Sequence, residues 1–306
     1  MVNHIGELAA AGTAVSWTAG AMIFEAATRR AGVMAINLLK VAFGSLYLVI
    51  FAWCASGSPF PLGLSLHTWI WMSGSGFLGF VIGDYYLFNT YRLIGSRLGM
   101  LLMSASVPLT ALASYFLFAE ALGSYALVGM IASMGGLFLT VQSGSRAKAQ
   151  GSAQNRALHP SPQEYRKGVL FGLMSALAMA GGTLLTKVGA LGVEPIAATQ
   201  VRVFAALFGF FIVSLFNKQM IQIVATVTDR KSMTLIALGS VFGPFIGVGC
   251  LLFALQHAQA GVVATITALI PILIIPPSVL IFKRQVQILE VVGACIAVAG
   301  VALLFV

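Results

Sequence analysis

Ten times along this chain an apolar run of roughly 20 residues ends in a polar turn. About 20 such residues are needed for an α-helix to cross a bilayer core about 30 Å thick. The runs therefore predict transmembrane helices near residues 8–28, 33–55, 67–91, 96–118, 121–142, 168–189, 194–217, 232–256, 260–282 and 286–306. Of all residues 59% are hydrophobic and only 8% are charged, whereas a soluble domain carries roughly 25% charged residues. The chain reads as an all-α, multi-pass integral membrane protein. Its formal charge of +9 would suggest a nucleic-acid partner in a soluble protein; here it reads as topology, and no nucleic-acid partner is expected. Cys54, Cys250 and Cys295 have neither metal nor redox spacing and are expected to be free, buried small hydrophobes. The first run is too long for the apolar core of a signal peptide and is expected to stay as a helix.

One connection differs from the rest. Residues 143–167 (SGSRAKAQGSAQNRALHPSPQEYRK) have the Gly, Ser, Pro and basic composition of a linker. They divide the chain into a five-helix unit at 1–142 and a second at 168–306. With an offset of 164, Gly79 falls on Gly243, Gly83 on Gly247, Gly129 on Gly293 and Gly136 on Gly300. Lys40 falls on Arg202 at an offset of 162, and Pro108 matches Pro271 after a slip of one. Five is odd, so a repeated unit must enter the membrane upside down relative to the first. Two inverted five-helix repeats are thus expected, an arrangement that places transporter sites where the halves meet.

The small residues have a packing reason. Gly79 and Gly83 lie one turn apart, as do Gly243 and Gly247, and such spacing lets helix backbones approach closely. Pro244 inside the eighth run and Pro276 and Pro277 inside the ninth remove backbone donors and predict bent helices. Gly79, Gly83, Gly243, Pro244, Gly247, Pro108 and Pro271 are the candidate packing or gating positions.

Gly83-Asp84 in the third run, a basic residue early in the second and seventh, and Phe118-Ala-Glu120 before the fifth, set in two five-helix repeats, resemble the EamA family of the drug/metabolite transporter superfamily. The resemblance covers nearly the whole chain and implies a ten-helix permease or exporter of small metabolites, amino acids or drugs. Where the second repeat would often carry a glutamate, this chain has Arg284. Glu120 itself reads as an acid favoured at a helix N-terminus.

Asp84 is the most informative residue for function. Eight residues before Arg92, it lies ~12 Å inside the helix end, too deep for its short side chain to reach water. Carboxylates at such depth usually face a bundle interior or a wet cavity. Lys40, about seven residues into the second helix, reaches similar depth from the same face, so a charge pair is feasible. Arg202 is expected in the opposite half without an acid at its depth, leaving backbone carbonyls, water or an anionic ligand group as partners. Tyr85, Trp17 and Gln256 complete the candidate pathway. Glu25 and Arg29 read as an i,i+4 pair near the interface, Lys187 as a snorkelling residue and His257 as an interfacial one.

These features point to a secondary transporter of a small-molecule substrate, resident in the cytoplasmic (inner) membrane and driven by a gradient or by exchange. Protons are a candidate coupling ion, because burial raises a carboxylate pKa and a nearby lysine lowers it; a homodimer is a candidate assembly. The alternatives are a channel-like pore or a membrane protein without transport activity. No nucleophile–base set, metal-ligand spacing or phosphate loop is found, so neither catalytic residues nor a metal or cofactor is expected. Fourteen of the seventeen basic residues, all but Lys40, Lys187 and Arg202, lie in the odd-numbered loops. By the positive-inside rule those loops are cytoplasmic and both termini face outward.

Overall fold

The computed structural model describes residues 4–120, 123–150, 161–282 and 286–305. Among them there are eleven helical rods and no strand. They are α1 (Ile5–Ala31), α2 (Val33–Ser56), α3 (Leu66–Gly76, Phe77–Asp84 and Tyr85–Ile94 in continuity), and α4 (Ser96–Met103 and Ser106–Phe118). Next come α5 (Ser124–Gln150), α6 (Pro162–Gly189), α7 (Pro195–Phe216) and a short α8 (Met220–Thr228). The last three are α9 (Arg230–Ser240, Val241–Gly247 and Val248–His257), α10 (Ala260–Thr267, Ile270–Leu273 and Ile275–Phe282) and α11 (Ile288–Leu303).

Local chemistry sets the ends. Ser161 accepts from the Glu164 N–H while Glu164 accepts from the Ser161 N–H, a capping box followed by Pro162. Glu194 caps α7 by accepting from the Ala197 N–H at 2.9 Å, with Pro195 next. Gly32 (φ 84°) and Gly95 (φ 91°) alone separate α1 from α2 and α3 from α4. A hairpin of one residue needs this left-handed backbone, which glycine adopts without strain. The stretch read as a linker is helical at both flanks, since α5 continues to Gln150 and α6 starts at Pro162; residues 151–160 lie outside the described part. The loop expected after α7 holds α8, whose nine residues are too few to register as a crossing.

Among the described residues, seven helices are long and apolar enough to cross a membrane, and α11 is apolar but shorter, at 16 residues. α1 and α3 fall short because they carry polar residues, and those are turned inward: Thr13, Ser16, Thr18 and Glu25 on α1, and Ser75, Asp84, Asn89 and Thr90 on α3 are all buried. The outward faces are apolar, as with Ile131, Phe216 and Leu280, each more than three-quarters exposed. Cys54 and Cys295 belong to that outer surface, which corrects the expectation that the cysteines are buried.

The internal repeat appears in the contacts. α1 packs along all three parts of α9, and α6 packs along all three parts of α3. Both three-part rods widen into π-type turns at matched places, Phe77–Asp84 and Val241–Gly247, 164 positions apart. α4 breaks at Ser104–Ala105 ahead of Pro108, and α10 breaks at Ala268–Leu269 ahead of Pro271. Along the α5–α11 seam, a Cβ on Gly129 would lie 2.5 Å from the Gly300 carbonyl oxygen, and one on Gly136 would lie 2.4 Å from that of Gly293. Because Gly129 matches Gly293 and Gly136 matches Gly300, the seam is self-complementary and antiparallel.

Candidate functional site

The site forms where α1, α2, α3 and α7 converge. Lys40 of α2 donates to Asp84 of α3, Nζ to Oδ2, at 2.5 Å, with the two side chains 13% and 8% exposed. The ammonium lies 4.7 Å from the Phe88 ring centre and 6.0 Å from that of Phe24. Those rings meet edge to face at 5.5 Å, so Lys40 has a carboxylate on one side and two aromatic faces on others, favourable contacts for a cation that has lost water. Asp84 ends the π-type stretch. Such turns recur at functional positions in helices.

Arg202 of α7 enters the same region, a correction to the expectation that no acid lies near it. Its guanidinium carbon lies 4.8 Å from the Phe80 ring centre. Its Nη2 lies 3.6 Å from where a Gly79 Cβ would be. Asp84 acts on it electrostatically, yet Asp84 pairs with Lys40, and the Arg202 Nε is buried without a hydrogen-bond partner among the described residues. The close approach is set by glycine: a Cβ on Gly76 would come within 2.2 Å of the Arg202 carbonyl oxygen.

The other predicted positions fall in several places. Trp17 donates from Nε1 to the Gly243 carbonyl at 3.1 Å and covers Gly247. Its neighbour Ser16 donates to the Phe242 carbonyl at 2.5 Å. Two α1 side chains thus bond the irregular backbone around Pro244, the compensation such a turn needs inside a membrane. Gly243 also faces Gly20, and Gly79 faces Gly182, the equivalent contact in the other unit. Gly83 lies against the Met179 thioether. Pro108 and Pro271 are buried behind the breaks in α4 and α10. Tyr85 is 39% exposed and meets the Tyr86 ring. Gln256 is exposed at the far end of α9, beside His257, whose backbone abuts Gly6. From Gly6 to Phe24 is ~27 Å along α1, so Gln256 is not brought to Asp84. Arg284 lies outside the described residues.

Three further ion pairs join the units, and sequence reading missed them. Arg97 at the start of α4 meets Glu290 at the start of α11 at 2.8 Å, both nearly buried. Arg30 meets Asp229 at 2.6 Å; hydrogen bonds from Arg30 and Ser232 hold the Asp229 carboxyl well below its ordinary range. Glu120 pairs with Lys187 on the surface, so neither residue plays the solitary part expected of it. Glu25 does bond Arg29 at 3.0 Å, but it is 1% exposed and also accepts from the Ser96 N–H and hydroxyl at 2.6 and 2.7 Å. No local spacing signals contacts between residues so far apart in the chain. Among the described residues there is no group of His, Cys, Asp and Glu able to hold a metal.

Residues 4–142 and again 166–306 match the family described as EamA-like transporter family. No curated protein matches the chain. Fifteen chains of solved structures do. One crystal structure shares the fold over 97% of this chain and 95% of its own, with a TM-score of 0.62 and 17% identity.

Proposed function

We propose, on the premise that this chain belongs to the EamA-like transporter family, that it is a secondary transporter moving a small solute by alternating access across the cytoplasmic membrane. In this reading all ten long rods cross the membrane, and units 1–142 and 168–306 are inverted relative to each other and rock about the site. Both termini face outward, in line with the charge bias of the loops. The flux is driven by a gradient or by exchange.

The observation that carries the proposal is the buried Lys40–Asp84 pair beside the π-type turn, at the convergence of helices from both units. A structural pair would be the economical alternative. Removing one partner of a buried pair costs roughly 3–5 kcal/mol, while replacing both by apolar groups can be nearly neutral. If Asp84 serves transport, Asp84→Asn folds at near-normal yield and loses most flux, and Asp84→Leu with Lys40→Met stays inactive even when folded. The solute is first identified by comparing metabolites exported by overexpressing and deletion strains, and its flux is then followed in proteoliposomes. Wild-type flux from well-folded Asp84→Asn across external pH of about 5.5 to 8 would end this reading.

A further inference from the structure

Charge counting around the site leaves a remainder. Lys40 and Asp84 cancel as a pair. The neighbouring acid Glu25 is matched by Arg29 and by the Ser96 donors. Of the cations placed at the site, Lys40 and Arg202, only Arg202 has no ion pair among the described residues, and its Nε is a buried donor without a hydrogen-bond partner there. A buried N–H donor in that condition is costly, and buried polar groups otherwise find partners. It does not snorkel away: Phe80 covers one face of it and Gly79 leaves room at its Nη2 edge.

We propose that Arg202 binds the anionic head of the solute, and that the solute is a monoanionic carboxylate with an apolar body. The inference rests on the transport reading of the same site and narrows its substrate class. A planar fork of N–H donors matches a carboxylate with two parallel charge-assisted hydrogen bonds. Phe80, partly exposed beside the guanidinium, offers apolar surface for the rest of the molecule. One negative charge brings the site to neutrality. A zwitterion fits less well, because its ammonium would need a carboxylate and Asp84 is already held by Lys40.

The test is equilibrium binding by calorimetry to the full-length protein in nanodiscs, with phenylacetate, phenylacetamide and phenylalanine as probes. Phenylacetate is expected to bind at least about tenfold more tightly than the amide, in keeping with a hydrogen bond to a charged group, and more tightly than phenylalanine. In Arg202→Gln the acid and amide should fall within about twofold of each other, while Arg202→Lys should keep a preference for the acid. Equal binding of acid and amide by the wild type, no binding of either at millimolar concentration, or an undiminished preference in folded Arg202→Gln overturns the proposal. If Arg202→Gln does not fold, the wild-type ratios and Arg202→Lys still decide. Because binding is read without flux, Arg202-dependent binding without transport would refute the transporter reading and keep the anion site. Flux with no acid preference would do the reverse.

Discussion

Glu25 shows how far a single residue can depart from its local pattern. Its spacing to Arg29 is that of an ordinary surface pair, and that bond exists. Its other oxygen reaches the first turn of α4, where the Ser96 N–H is among the donors a helix start leaves unpaired. Glu25→Ala strips both hydrogen bonds from Ser96, while Arg29, half exposed, can recover water. The expected loss is about 1–3 kcal/mol, seen as a fall of several degrees in the thermal unfolding midpoint in detergent. A midpoint within a degree of wild type would show that the contact contributes little. Asp84 and Lys40 were legible because depth can be counted from the ends of apolar runs. The closeness of Arg202 to Asp84 was not, since it depends on how α7 crosses α3 at Gly76, and a crossing angle leaves no trace in hydropathy.

Among the elements, the α5–α11 seam offers the sharpest comparison, for neighbouring glycines behave oppositely. A Cβ on Gly136 would press on the Gly293 carbonyl and the Ala297 N at 2.4 Å, and both are backbone atoms that cannot swing aside. A Cβ on Gly135 would meet nothing within 4 Å. Gly136→Ala is therefore expected to destabilise by about 1–3 kcal/mol, as overpacking does. Gly135→Ala should be neutral or stabilising by up to about 1 kcal/mol, through helix propensity. The comparison is made by thermal unfolding of the two variants, and equal midpoints would sink it. Matched glycines revealed the repeat in the sequence, because only close backbone approach demands them at such spacing. The π-type turns were hidden. Their matched positions follow from hydrogen-bond register, and Pro244 marks one of them with no proline in its mate.

In the whole molecule the two units lean on each other more than on themselves. The principal partner of α1 is α9, that of α3 is α6, and that of α5 is α11. Each of these contacts crosses from one unit to the other, so hydropathy that counts five helices per unit says little about where a self-sufficient core lies. Residues 1–142 made alone should then be unstable and readily proteolysed, and co-production with residues 143–306 should restore a folded complex. A first unit as monodisperse and heat-resistant by itself as the full chain would contradict this. The order of synthesis makes the dependence asymmetric in time. α1, with its buried hydroxyls and carboxylate, is made about two hundred residues before α9, and α11 follows α9. The first unit thus waits in the bilayer with its polar and glycine faces uncovered, and the α5–α11 seam can close only after both repeats have been made.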